Sequence, residues 1–127
     1  MPKWIYAKGA KHELRRGRDG SVYWFNEGVV GFPDFLDKPA RTMLTSETQV
    51  GRTSHVVKDF QTGRLRVLTP IECERLNGFP DNWTNTGMPE KIRYFCMGNA
   101  LVINISSRIC NILINNFNTN QLNKNTK

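Results

Sequence analysis

The sequence predicts an α+β fold, a small region of strands and loops followed by helices. Three observations carry that expectation. Glycine and proline recur through residues 1–66 with short β-prone runs between them. At Thr69 the pattern turns helical behind a concerted start signal. From about Ala100 to Phe117 runs a long apolar stretch with helical spacing. The 127 residues suit one small domain, and an apolar share of 39% is lean for a chain that must bury its own core.

In chain order, SVYWF at 21–25 is the strongest strand candidate, followed by RTMLT at 41–45, HVVKDF at 55–60 and RLRVL at 64–68. Gln61-Thr62-Gly63 between the last two reads as a hairpin turn. Residues 26–40, with Gly28, Gly31, Pro33 and Pro39, read as an ordered loop. Thr69-Pro70-Ile71-Glu72 then starts a helix: Thr69 caps, Pro70 suits the first helical position and Glu72 completes a capping box. Gly78 ends that helix, with Pro80 two residues beyond. A second short helix is expected from Pro89 towards Phe95. The third, over 100–117, has Leu101, Val102, Ile105, Ile109, Ile112 and Leu113 on one face, and Ile103, Cys110 and Ile114 off it. Two apolar stripes imply burial from two sides, or else an exposed sticky side. The polar stretch 115–127 is expected to be a frayed or disordered tail.

Eighteen Lys and Arg against eleven Asp and Glu give a formal charge of +7. The excess gathers in residues 1–18, where Lys3, Lys8, Lys11, Arg15, Arg16 and Arg18 face Glu13 alone. Trp4, Tyr6, Tyr23, Trp24 and Phe25 interleave with it, a mixture suited to phosphates and exposed bases, or to a solvated face with the rings turned inward. Cysteines 73, 96 and 110 lack metal-type spacing, so neither a zinc site nor a disulfide framework is expected, and a reducing cytosol fits. No run approaches the roughly 18 continuous apolar residues of a membrane span, and no secretory leader is visible.

Two segments are specific together: Arg64-Leu65-Arg66-Val67-Leu68-Thr69-Pro70-Ile71-Glu72-Cys73-Glu74-Arg75-Leu76-Asn77-Gly78-Phe79-Pro80-Asp81, and Met97-Gly98-Asn99-Ala100-Leu101-Val102-Ile103-Asn104-Ile105. The pair resembles the ninth and tenth motifs of DNA (cytosine-5) methyltransferases, whose pattern is R-x-L-T-x-x-E-x-x-R-x-x-G-F/Y-P-D followed by G-N-x-V/L. Thr69, Glu72, Arg75, Gly78, Phe79, Pro80, Asp81, Gly98 and Asn99 fit. The resemblance places residues 1–63 where that family keeps its target recognition region, 64–114 as the motif-bearing helices that complete a Rossmann-like methyltransferase domain, and 115–127 as a tail. Lys38-Pro39-Ala40-Arg41-Thr42-Met43 is similar to the family's Pro-x-x-Thr-Leu element, with Met43 as a departure.

The family's catalytic Pro-Cys is absent, for the three cysteines follow Glu72, Phe95 and Ile109. The Glu-Asn-Val run and the Phe-x-Gly-x-Gly cofactor loop are absent too. No catalytic residue is therefore assigned to this chain. The resemblance implies the C-terminal part or small subunit of an enzyme that flips a cytosine, attacks carbon 6 with a thiolate and methylates carbon 5 from S-adenosylmethionine. Its implied partners are double-stranded DNA and an N-terminal catalytic part, within a restriction-modification system of the bacterial cytoplasm. The starting Met1 and the Asn-rich end favour a natural short chain.

The expected DNA contacts are Arg41 and Thr42 near the flipped nucleotide, Arg52, Gln49 and Glu47 on guanine, adenine and cytosine edges, and Lys11 on phosphate. On that division Arg52→Ala relaxes base preference, whereas Lys11→Ala weakens binding to every sequence. Gly98-Asn99 is expected to open the last helix beside the cofactor, with Asn99 and Ala100 as cofactor contacts. Arg75 and Asp81 are expected to tie elements together. A stand-alone DNA-binding relic, a tRNA-acting relative and a non-functional remnant are the alternatives.

Overall fold

The computed structural model describes residues 3–125, and side chains within 3–118. The order is α1 (Lys3–Lys8), β1 (Lys11–Arg16), β2 (Val22–Glu27), β3 (Val57–Lys58), β4 (Leu65–Arg66), α2 (Pro70–Leu76), α3 (Glu90–Asn99) and α4 (Ile103–Asn125), an α+β arrangement. The strands form two separate antiparallel hairpins, β1 with β2 and β3 with β4. In the first, Lys11 pairs with Glu27 and Arg16 with Val22. Alternation along β1 puts His12, Leu14 and Arg16 in solvent and half-buries Lys11, Glu13 and Arg15.

Several expectations need correction. Residues 3–8 form a helix, where only β and loop were expected, and 11–16 form a strand that was not among the named candidates. RTMLT at 41–45 has no strand partner, because Met43 turns inward and the Leu44 amide bonds a side chain, Glu47. The Gln61-Thr62-Gly63 turn is present, with Gly63 at φ +68 and Asp59 accepting from the Thr62 amide at 2.8 Å. Residues 115–125 continue α4 and are helical; of the expected disordered tail, 126–127 lie outside the described residues.

The α2 boundaries follow from local chemistry. The Thr69 hydroxyl accepts from the Glu72 amide at 3.2 Å, and the Glu72 carboxylate accepts from the Thr69 amide at 2.7 Å. At the other end Gly78 sits at φ +80; its amide bonds Arg75 O at 3.0 Å, and the Phe79 amide bonds Glu74 O at 2.9 Å. This is the Schellman closure, which needs a residue tolerant of left-handed backbone.

A small core joins Met43, Val57, Leu68, Cys73, Tyr94 and Met97, with Phe79, Cys96 and Ala100 against it. It draws on both sides of position 63, and so does the β3–β4 hairpin, so residues before and after that position share one interior. The Tyr94 hydroxyl donates to Leu68 O at 2.8 Å and fixes α3 over the start of α2.

α4 packs on no other helix or strand among the described residues. Ile105, Ile109, Ile112, Leu113, Ile114 and Phe117 are each more than half exposed. Ile105, Ile109, Ile112, Leu113 and Phe117 fall on one broad arc of the helix, opposite Asn104, Ser107, Arg108 and Asn111, and Ile114 lies off that arc beside Ser107. By length and composition alone the 90–118 stretch suffices to cross a bilayer. It is broken by non-helical backbone at 100–102, however, and Arg108 at mid-span would cost about 2.5–3.5 kcal/mol in hydrocarbon.

Candidate nucleic-acid interface and its scaffold

Segment 41–56 is organised by half-buried ion pairs, one buried carboxylate and backbone carbonyls. Arg41 places two guanidinium nitrogens on Asp34 Oδ1, at 3.0 and 2.7 Å, and donates to Thr53 O and Ser54 O at 3.0 and 3.2 Å. The other Asp34 oxygen accepts from the Val56 amide at 2.7 Å. Arg41 is thereby a clamp between two loop segments. Glu47 is wholly buried. Its carboxylate accepts from the Leu44 amide at 3.0 Å, from the His55 amide, and from His55 Nδ1 at 2.8 Å. Burial alone would raise its pKa; the His55 and Leu44 hydrogen bonds outweigh that and hold it below the ordinary carboxylate range.

Glu47 is thus not placed to meet a cytosine edge: both oxygens are used inside the chain. Arg52 is similarly engaged. Its Nε pairs with Glu27 at 2.9 Å, and its other nitrogens donate to Gly9 O at 3.3 Å and to Gly28 O. Lys11 pairs with the same Glu27 at 2.7 Å and bonds Ala7 O at 3.2 Å, with its side chain 9% exposed. Both cations brace the root of the first hairpin, which replaces the expected division between a base reader and a phosphate contact. Lys8 also leaves the expected basic face. Its Nζ donates to Arg52 O at 3.1 Å and to Ser54 O, and burial, then Arg41, lowers its pKa. Thr42 and Gln49 remain exposed, with no side-chain hydrogen bond or ion pair among the described residues.

The motif residues hold the scaffold. Arg66 grips Glu72 with two nitrogens at 2.8 Å each and reaches Asp59 at 3.3 Å. That fork, with the Thr69 bonds, pulls the Glu72 carboxyl down to about 2 despite some burial. Arg75 and Asp81 form the expected pair, two-pronged at 2.7 and 2.6 Å. Gly98 permits a close approach, but to the chain itself: a Cβ there would lie 2.5 Å from Thr45 Cα and nearer still to Thr45 N and Leu44 C. Segment 44–45 therefore lies flat on the end of α3.

Gly98-Asn99 closes α3 instead of opening the last helix, which starts at Ile103. The intervening Ala100 is extended, and the Ile103 amide goes to Asn77 O at 2.9 Å. Asn99 faces solvent and donates back to Phe95 O at 3.0 Å, so it caps no helix start. Ala100 lines a cavity of about 420 Å³ with Thr42, Met43, Asn77, Val102 and Ile105. The structure thus brings an expected DNA contact and an expected cofactor contact to one hollow. A second cavity, about 680 Å³, lies between Phe35, Leu36 and Ala40 on one side and Leu76 on the other, with Arg41 and His55 in its wall.

Sequence reasoning missed Asn77. Buried at the end of α2, it donates to Met97 O at 3.0 Å and accepts from Ile103, so it joins three helices. Its place at a variable position of the motif gave no signal. Burial lifts the Cys73 thiol to about 12. Among the described residues no cluster of His, Cys, Asp and Glu could hold a metal.

Comparison with known proteins matches residues 2–115 to the family profile of the C-5 cytosine-specific DNA methylases. A Type II methyltransferase of Staphylococcus aureus, M.Sau3AI, is 54% identical over 111 residues, 87% of this chain and 26% of that protein. The chain thus spans about a quarter of this relative's length. No solved structure matches.

Proposed function

Because the chain belongs to the C-5 cytosine-specific DNA methylase family, we propose that it is the C-terminal part or small subunit of a DNA (cytosine-5) methyltransferase. It contributes target recognition and a docking helix, not the covalent chemistry. The observation that carries this reading is α4. A helix with so broad an apolar arc and no helix or strand packed on it among the described residues is stable in water only when covered. The cover proposed is a cofactor-binding, Rossmann-like lobe, which the relative's additional length is ample to supply.

The family's methyl donor is S-adenosylmethionine. The hollow beside Ala100 does not fit it alone, since no acid lines it to bind ribose hydroxyls and no glycine-rich loop adjoins it. Ala100 and Asn99 are accordingly proposed as rim residues of a pocket built mainly by the catalytic lobe. Thr42 and Gln49 are proposed to face DNA, while Arg41, Glu47, Arg52 and Lys11 hold the recognising surface in shape. The setting is a restriction-modification system in a bacterial cytoplasm.

The experiment removes the matched quarter from the Staphylococcus aureus relative and supplies this chain in its place. Transfer of a tritiated methyl group to duplex DNA is expected from the mixture and from neither polypeptide alone. Transfer by this chain alone, or none from a mixture of folded parts, would overturn the reading.

A further inference from the structure

We propose that the β1–β2 ribbon enters the major groove of the DNA target and that Arg16 and Arg18 at its tip contact the duplex. The inference rests on the DNA-recognition role proposed above and assigns that role to an element. Eight of the cations among the described residues are taken, Lys8 by carbonyls and Lys11, Arg15, Arg41, Arg52, Arg66, Arg75 and Arg93 by acids. Arg16 and Arg18 are exposed, have no ion pair or hydrogen bond from their side chains among the described residues, and lie two residues apart at the hairpin turn. The acid between them and Ser21, Asp19, is turned into the turn itself. It accepts from the Ser21 amide at 3.1 Å and from the Ser21 hydroxyl at 2.7 Å. The Gly17 amide closes on Ser21 O at 2.8 Å, so the tip is shaped as well as positive.

The ribbon is built to project. It packs on no other helix or strand among the described residues, whereas its root is locked by Lys11, Arg52 and Glu27 and by the Val30 amide on Lys8 O at 2.8 Å. Six residues per strand reach about 17 Å at roughly 3.4 Å each. A major groove about 12 Å wide and 8.5 Å deep admits a two-stranded ribbon. The outward face carries Leu14, Val22 and Trp24, each about half exposed, with the His12 ring stacked on Trp24 at 4.4 Å. An apolar plate beside two free guanidinium groups matches base edges flanked by phosphates.

The test measures binding of fluorescein-labelled random 20-base-pair duplexes to the whole 127-residue chain by anisotropy, from 50 to 200 mM salt. Arg16→Ala/Arg18→Ala should weaken binding about tenfold or more at low salt. It should also flatten the salt slope by roughly one to two, at about 0.9 per lost phosphate contact. Lys91→Ala, which removes an equally exposed cation on α3, should change affinity less than about twofold. Circular dichroism verifies that each variant stays folded. Binding by the parent with the tip variant no worse than Lys91→Ala overturns the ribbon assignment and leaves the proposed function standing. Binding to single strands as tight as to duplex overturns groove entry. No duplex binding by the parent overturns both.

Discussion

Gly98→Ala should destabilise this chain although alanine is the better helix former. Within α3 the exchange gains about 1 kcal/mol of helix propensity. Against that, the new Cβ would meet Thr45 Cα at 2.5 Å and two further backbone atoms closer still. Carbon atoms sit comfortably at about 3.5–4.0 Å, so segment 44–45 must retreat by about 1 Å or more. The obstacle is backbone and cannot rotate away. Overpacking of this kind costs about 1–3 kcal/mol and occasionally more, and the retreat also pulls Met43 from the core and the Leu44 amide from Glu47. The net expectation is a loss of about 2 kcal/mol. For a domain of this size that lowers Tm by about 6–12 °C. Urea titration with tryptophan fluorescence and circular dichroism measures it directly. Gly28→Ala is the control, because nothing lies within 4 Å of its Cβ position and its φ is ordinary; it should be neutral or slightly stabilising. A Gly98→Ala chain as stable as its parent would refute the close packing of the α3 end on segment 44–45.

Glu47→Gln should cost about 2–3 kcal/mol in urea midpoint, because it puts an amide NH₂ among donors that a carboxylate now accepts from; a loss below about 0.5 kcal/mol would contradict its scaffolding role. Glu72, at about 2 in the folded chain against an ordinary 4.5, contributes stability that is full above pH 4.5 and lost as pH falls through 2. Its partial exposure reduces that contribution to about 1–2 kcal/mol, and urea midpoints of Glu72→Gln should lack this component of the acid slope that the parent shows. Ile109→Glu, on the exposed arc of α4, should leave stability within about 0.5 kcal/mol yet abolish co-sedimentation with the catalytic lobe; unaltered association would contradict docking through this face.

What the sequence disclosed was local chemistry. The Thr69–Glu72 box, the Gly78 closure and the Arg75–Asp81 pair depend on residues within a few positions of one another, and such patterns are legible without tertiary information. The apolar excess of 101–117 was legible too, because two stripes at helical spacing imply burial from two sides or an exposed sticky side. What stayed hidden depends on distant partners. Arg52 and Lys11 looked available for DNA because Glu27 and the carbonyls of Gly9 and Gly28 are remote in sequence. Glu47 looked like a surface acid until His55 closed over it. Gly98 signalled a close approach, but the thing approached was Thr45 and not a ligand. Asn99 read as a helix cap because the break at 100–102 depends on the Ile103 amide turning to Asn77.

The central claim is that this chain recognises DNA for a nucleophile carried by another part of the enzyme. A duplex containing 5-fluorocytosine at the methylated position tests it most directly, since fluorine on carbon 5 prevents the proton loss that would free the attacking thiolate. Incubated with S-adenosylmethionine, this chain and the catalytic lobe, the DNA should become covalently bound to the lobe alone, and this chain should run unshifted on a denaturing gel. A DNA adduct on Cys73, Cys96 or Cys110 would contradict the account.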